Sequence, residues 1–150
     1  MELSPDLSEL LGLFHKHSVE YVVIGAYALA FYGAPRFTGD LDLLVKADRE
    51  NAERIMLALD AFGFGTTGLT ASDFIGADRV VQLGHPPARV DILTSITGVD
   101  WEAVAAGAVD GAMGNVAVPF IGRTQLIKNK RALGRHKDLA DIEALGGTTT

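Results

Sequence analysis

The chain contains no cysteine, which excludes disulfide frameworks, thiolate zinc sites and cysteine nucleophiles. Any metal ion it binds must therefore be held by carboxylate, imidazole or backbone carbonyl groups. The sequence also lacks a run of about twenty apolar residues and a basic, apolar leader, so neither a membrane span nor a secretory signal is expected. These absences predict a soluble, cytoplasmic protein without a membrane partner.

Positive charge is scarce, because 13 Lys and Arg residues stand against 19 Asp and Glu residues and give a formal net charge of −6. This balance argues against a protein that coats nucleic acid through its overall field, since such binding neutralises many phosphates. The cations are nevertheless segregated: six of the 13 lie between Arg123 and Lys137. A local basic surface therefore stays open as an interpretation.

The length of 150 residues and a hydrophobic content of 48 % fit one compact domain with its own core. We predict a single folded domain over residues 1–145, followed by a flexible tail at residues 146–150. The predicted elements alternate as helix, strand, helix, strand, helix, and then further strands and helices. This order indicates an α/β (α+β) fold in which helices flank a mixed, twisted sheet.

Hydrophobic periodicity and capping residues place the elements along the chain. The strand near residue 118 contains Pro119 close to its end, which predicts a position at the edge of the sheet. The predicted helices cover residues 4–17, 26–33, 48–62, 100–106, 124–133 and 136–145, with one helical turn near 72–74, and the predicted strands cover residues 19–25, 40–45, 79–84, 88–94 and 115–121.

Two aspartates open the predicted strand DLDLLV, Asp40 to Val45. Residues two apart on a strand project from the same face, so Asp40 and Asp42 stand side by side while Leu41 and Leu43 point into the core. Two carboxylates this close need a positive partner, and Mg²⁺ is commonly held by one or two carboxylates together with substrate phosphates. A solvated strand end is the competing interpretation, because a bare Asp-x-Asp is short and common.

Two further features favour a metal and nucleotide site. In the strand ARVDILT, Val90 and Ile92 fill one face and Asp91 points to the other, so a third carboxylate can reach the site from a neighbouring strand. Three carboxylates can hold two metal ions, the arrangement used for in-line phosphoryl transfer. Gly25 and Ala26 lie where a strand ends and a helix begins, and such a turn offers free N–H groups to a phosphate.

The stretch IGAYALAFYGAPRFTGDLDLLV resembles the minimal nucleotidyltransferases of the DNA polymerase β superfamily. Their signature is an apolar residue, a glycine, a glycine or serine, and then a strand with Asp-x-Asp or Asp-x-Glu. The run PRFTGDLD and the tail KNKRALGRHKDLADIEAL resemble most the abortive-infection AbiEii toxins and their relatives. The likeness covers most of the chain and is strongest over residues 22–45.

The resemblance implies a nucleotidyltransferase fold and the transfer of a nucleoside monophosphate from a nucleoside triphosphate such as ATP, with two Mg²⁺ ions. The acceptor would be a hydroxyl or phosphate group on a transfer RNA, a protein or a small molecule. A role in a toxin–antitoxin system, with an antitoxin partner or self-association, is also implied. The alternative is a catalytically silent member that binds a nucleotide or a protein.

Carried over to this sequence, the resemblance assigns the triphosphate to Gly25 and the backbone of Ala26. It assigns both metal ions to Asp40 and Asp42, and the metal that activates the acceptor hydroxyl to Asp91. Ala26 departs from the pattern, because a serine or a second glycine is usual there. The hydroxyl contact to phosphate is lost while the backbone N–H remains, which leaves the silent alternative open.

Five further residues are candidates for binding the nucleotide. Arg36 and Thr38 precede the Asp-x-Asp strand in a loop, where the arginine either pairs with a phosphate or neutralises the aspartates. Lys128, Arg131 and Arg135 recur at helical spacing and form one cationic face suited to a triphosphate or a nucleic-acid acceptor. A merely solvated helix face is the competing interpretation.

Overall fold

The computed structural model describes residues 3–34, 40–63, 68–85 and 88–147. Within these ranges it contains six α-helices, six strands and a short 3₁₀ helix at Ala71–Phe74. The helices are α1 (Pro5–Lys16), α2 (Gly25–Phe31), α3 (Arg49–Phe62), α4 (Trp101–Gly107), α5 (Arg123–Leu133) and α6 (His136–Ala144). The strands are β1 (Tyr21–Ile24), β2 (Asp40–Val45), β3 (Val80–Leu83), β4 (Arg89–Leu93), β5 (Val109–Met113) and β6 (Val116–Phe120).

Capping residues explain where several helices begin and end. The side chain of Ser4 accepts from Leu7 N at 3.3 Å, and the side chain of Asp48 accepts from Asn51 N at 2.9 Å. Each contact satisfies one of the backbone N–H groups that lack a partner at a helix start. Helix α3 ends at Gly63, which has the left-handed φ of 103° that glycine adopts without strain. The predicted boundaries of these helices are confirmed to within about two residues.

The six strands form one sheet in the order β3-β4-β2-β1-β6-β5. Strands β2 and β4 run parallel, as do β1 and β6, and the three other neighbouring pairs are antiparallel. The predicted mixed sheet flanked by helices is confirmed, and so is the antiparallel connection between β3 and β4. None of the helices within the described ranges is long and apolar enough to cross a membrane.

The predicted edge position of the strand that contains Pro119 was wrong. Strand β6 lies between β1 and β5, and Pro119 is paired with Asp110 of β5. The sequence VDGAM of β5 was not predicted as a strand, because Asp110 and Gly111 are unfavourable residues in strands. On its other side β6 pairs with β1 at Val23 and Phe120, and Ile121 N donates to Val23 O at 3.0 Å, so the pairing with β1 begins just after the proline. The predicted tail lies largely outside the described residues, which end at residue 147.

The core fixes which face of β2 and β4 carries polar groups. Leu41, Leu43, Val90 and Ile92 are at most 2 % exposed and pack into one continuous apolar cluster. Full burial of each such side chain contributes about 2 kcal/mol. Because side chains alternate along a strand, a slip of one residue would exchange this apolar face with the charged one. The core thereby holds the charged residues of both strands on the opposite face.

Asn51 ties the first turn of α3 to the chain segments beside it. Its side chain is fully buried; Oδ1 accepts from Glu20 N at 2.8 Å, and Nδ2 donates to the carbonyl oxygens of Glu20 at 3.0 Å and Lys46 at 2.8 Å. These contacts connect the start of α3 with the residues that precede β1 and follow β2. Removing a buried amide with three backbone partners lowers the stability of the fold, because those partners stay buried without a hydrogen bond.

We expect Asn51→Ala to lower the free energy of unfolding by about 2–4 kcal/mol, since three backbone groups lose their partner. Urea unfolding followed by circular dichroism measures the change. Glu53→Ala is the control on the same helix: its side chain is 61 % exposed and pairs with exposed Arg49, so a change within about 0.5 kcal/mol is expected. Equal destabilisation by the two substitutions would contradict the role of Asn51.

Candidate active site

The register of β2 and β4 brings the predicted carboxylates together. Asp42 is directly opposite Asp91, and Asp40 is directly opposite Arg89. Since alternate residues share a face, all four side chains project from the same side of the sheet. We call Asp40, Asp42 and Asp91 the carboxylate cluster.

Burial and mutual repulsion perturb the central member of this cluster. The pKa of Asp42 is raised from 3.8 to about 6, first by burial and then by the negative charges of Asp91 and Asp40, in that order of size. Lys130 and Arg89 act in the opposite direction on the same carboxyl group. The cluster is therefore close enough for its charges to interact, and it is partly neutralised by two cations.

Gly25 lies directly against the carboxylate cluster. Strand β1 is antiparallel to β2 with Ile24 opposite Asp42, so the turn into α2 passes beside that carboxylate. Gly25 has a φ of +67°, and a Cβ atom built there would lie 2.3 Å from Asp42 Oδ2. Both the backbone conformation and the space therefore require glycine at this position.

The first turn of α2 follows Gly25, so its N-terminal end faces the cluster. Ile24 precedes the helix and provides no side-chain cap to the first amide groups of α2. Tyr27 lies in the same turn; burial raises its pKa, and the charge of Asp40 adds to the shift. These residues bring backbone donors and an aromatic hydroxyl to the edge of the carboxylate cluster.

Arg89 is a member of this site that sequence reasoning missed. Its Nε atom lies 3.5 Å from Asp91 Oδ1 and 3.8 Å from Asp40 Oδ2, and its side chain is 31 % exposed. The sequence could have identified Arg89, because it precedes Asp91 by two residues on a strand and its side chain must project from the same face. The guanidinium group bridges two of the three carboxylates.

Lys130 is the second cation that sequence reasoning missed. It is buried in α5, with Nζ 3.2 Å from Asp141 Oδ2 and 3.6 Å from Asp138 Oδ1. Its charge also lowers the pKa of Asp42, so Lys130 connects the acids of α6 with the carboxylate cluster. Its spacing to the buried residues Leu126 and Ile127 places it on the inner face of α5 and could have identified it.

The cationic face predicted on the last helices is exposed. Lys128, Arg131 and Arg135 are all exposed, and Arg135 donates from Nε to Asp138 Oδ2 at 2.6 Å. That hydrogen bond is the main cause that holds the pKa of Asp138 below its usual value. The cations that act on Asp42 are instead Arg89 and Lys130.

A role for Lys128, Arg131 and Arg135 in nucleotide binding stays a prediction. The other two predicted nucleotide-binding residues, Arg36 and Thr38, lie outside the described residues.

The carboxylate cluster fits a divalent cation by the kind of its donors. Three carboxylates are the hard oxygen ligands that Mg²⁺ prefers, and their repulsion is what a cation would relieve. In the parts of the chain that the structure describes, no three His, Asp or Glu side chains form a ready-made metal site. Mg²⁺ does not require one, because substrate phosphates and water usually complete its shell.

Comparison with solved structures shows which architecture positions these residues. A Thermotoga maritima protein assigned as a nucleotidyltransferase matches with a TM-score of 0.62 and 14 % identity, over 91 % of this chain and 88 % of that one. The antibiotic-resistance factor ANT(2'')-Ia matches with a TM-score of 0.59 and 12 % identity, over 93 % of this chain and 80 % of that one. This chain has the nucleotidyltransferase fold.

A third match extends over nearly the whole of both molecules. The lincosamide antibiotic adenylyltransferase LnuA, solved with lincomycin bound, gives a TM-score of 0.52 and 13 % identity over 99 % of each chain. At these identities the likeness concerns the fold, which confirms the nucleotidyltransferase architecture expected from the sequence. No protein-family model and no curated protein sequence matches the chain.

We expect Gly25→Ala to destabilise the protein more than Gly33→Ala. Both glycines have a positive φ, 67° and 85°, so each substitution loses about 1–2 kcal/mol from the left-handed conformation. Only at Gly25 does the new methyl group meet Asp42, whereas the space beside Gly33 is open. An additional loss of about 1–3 kcal/mol is expected from this contact, measured by chemical unfolding. Equal losses would show that Asp42 can move away freely.

We expect Asp42→Asn to stabilise the protein at neutral pH. The pKa of Asp42 is raised from 3.8 to about 6, so the folded state favours the protonated form. Ionisation therefore destabilises the fold progressively from pH 4 to pH 6, and the full loss persists above that window.

At pH 7.5 the gain for Asp42→Asn should be about 1–2 kcal/mol after allowance for solvent screening, and near zero at pH 4. Chemical unfolding at the two pH values measures it. Asp60→Asn, at an exposed position of α3, is the control and should show no such pH dependence. A gain that is the same at both pH values would contradict the raised pKa of Asp42.

Proposed function

We propose that this protein is a metal-dependent nucleotidyltransferase that moves a nucleoside monophosphate from a nucleoside triphosphate to a hydroxyl or phosphate acceptor. The observation that supports this most is the pairing of Asp42 with Asp91 across two parallel strands, beside the Gly25 turn. The fold shared with nucleotidyltransferases gives this arrangement its context.

Asp40, Asp42 and Asp91 are the residues that would hold Mg²⁺, with two ions shared among them. The metal would supply positive charge to the phosphates and lower the pKa of the acceptor hydroxyl. The raised pKa of Asp42 supports this assignment, because its causes are burial and then the negative charges of Asp91 and Asp40.

The remaining steps are assigned to the residues around the cluster. The backbone N–H groups at Gly25 and Ala26 bind the triphosphate at the start of α2, and Lys130 provides a fixed positive charge from α5. The acceptor oxygen forms a bond to the α-phosphorus, the bond between that phosphorus and the bridging oxygen breaks, and pyrophosphate leaves. The proton of the acceptor passes to a carboxylate of the cluster.

The donor and the acceptor are proposed from the likenesses of this chain. LnuA is an adenylyltransferase and ANT(2'')-Ia is an antibiotic-resistance factor, which supports ATP as the donor and a small hydroxyl compound as an acceptor. The sequence likeness to AbiEii toxins supports a toxin–antitoxin component of the cytoplasm, with transfer RNA or a protein as the acceptor and an antitoxin or a second copy as the partner. The net charge of −6 speaks against extended nucleic acid.

Radiolabelled nucleoside triphosphates with Mg²⁺ test the activity against three separate pools: small molecules, cellular RNA and cellular proteins. We expect label to enter one pool and Asp42→Asn or Asp91→Asn to reduce the transfer at least about a hundredfold, because each removes a charged ligand of the reaction centre. Asp60→Asn should transfer normally.

Two results would overturn this proposal. One is that no label moves in any pool, and the other is that Asp42→Asn transfers it as well as the unmodified protein. If the nucleotide binds in equilibrium dialysis and no label moves, the catalytically silent alternative is the correct one. The substitution of Ala26 for the usual serine or glycine is the sequence feature that favours this alternative.

A further inference from the structure

Arg89 already contacts the oxygens that a metal ion would need. Its Nε atom lies 3.5 Å from Asp91 Oδ1 and 3.8 Å from Asp40 Oδ2. The register of β2 and β4 fixes this position, because Asp40 and Arg89 are direct neighbours across the two strands. Its backbone therefore cannot leave the site, although the side chain can rotate.

The guanidinium group and a divalent cation cannot both occupy the space between Asp40 and Asp91. A metal ion must approach these oxygens to about 2.1 Å, and a second cation beside the same oxygens would repel it. Arginine stays protonated at every pH relevant to the protein, so deprotonation cannot remove the competition. The side chain must move instead, and it is 31 % exposed and thus able to turn outward.

A triphosphate provides the displaced guanidinium group with a new partner. Planar guanidinium groups bind phosphate oxygens through two parallel hydrogen bonds, which makes phosphate a better replacement than water. The same triphosphate completes the shell of the metal ion. Metal and nucleotide thus each make the binding of the other more favourable, and such a coupling acts equally in both directions.

We propose that Arg89 is a resident cation that the metal ion must displace from Asp40 and Asp91 and that the triphosphate then receives. The consequence is cooperative binding: free metal binds weakly, and metal with nucleotide binds tightly. This inference rests on the proposed function for the identity of the ligands, and it assigns to Arg89 the control of their order of binding.

Mn²⁺ binding, followed by the electron paramagnetic resonance of the free ion, tests the proposal without any turnover. Without nucleotide, we expect Arg89→Gln to bind Mn²⁺ about tenfold more tightly than the unmodified protein. With α,β-methylene ATP present, the difference should shrink to about twofold or less, because the guanidinium group is then displaced in the unmodified protein as well. Arg49→Gln is the matched control, since Arg49 is 68 % exposed and forms an ion pair with Glu53 of the same helix at 3.9 Å.

A second measurement uses the unmodified protein and does not depend on the folding of a variant. In ¹⁵N-labelled protein, the Nε–H resonance of Arg89, assigned by its loss in Arg89→Lys, should shift when Mg²⁺ and α,β-methylene ATP are added together. A resonance that does not move, or an Arg89→Gln variant that binds Mn²⁺ no more tightly, would overturn the proposal. If both tests succeed and no nucleotidyl transfer is found, the proposed reaction fails and the role of Arg89 stands.

Discussion

The parallel pairing of β2 with β4 is the constraint on which the rest of this molecule depends. One set of side chains from these strands is buried in the core, and the alternate set forms the charged face. Burial of the apolar set supplies the free energy that fixes the register, while the other set carries the carboxylates of the candidate site. Precise placement of the carboxylates is therefore a consequence of hydrophobic packing on the far side of the sheet.

Two cations from different parts of the fold partly neutralise the carboxylates on that face. Arg89 approaches the carboxylates along their own strands, and Lys130 approaches from α5, where Asp138 and Asp141 hold it. These two acidic partners fix the position of the buried ammonium group. The last two helices thus act on the charge of the carboxylate cluster as well as covering the sheet.

Local signals made much of the fold predictable. Strand β2 was expected at Asp40–Val45 and is found there, because its branched apolar residues alternate with aspartates. The start of α3 followed from the cap at Asp48 in the same way. Strand β5 was missed because Asp110 and Gly111 are poor strand residues, and its pairing with β6 decides the structure there. That pairing also explains why Pro119 was misjudged.

The carboxylates of the candidate site and the Gly25 turn beside them were predicted from the sequence, but its two cations were not. Asp91 was named because its neighbours on the strand are apolar, but its position opposite Asp42 is a property of the sheet order. Lys128 was predicted because it shares a helical spacing with Arg131 and Arg135, whereas the packing of α5 decides which lysine faces inward. Arg36 and Thr38 are outside the described residues, so their predicted roles stay predictions.

The close approach of Gly25 to Asp42 has a consequence for the length of the side chain at position 42. The backbone of Gly25 leaves no room even for a methyl group beside Asp42 Oδ2. A glutamate there would extend the carboxylate by one methylene group into the same space. A glutamate at position 42 would therefore have to turn its carboxylate away from Gly25, so the glycine turn constrains where that acid can point.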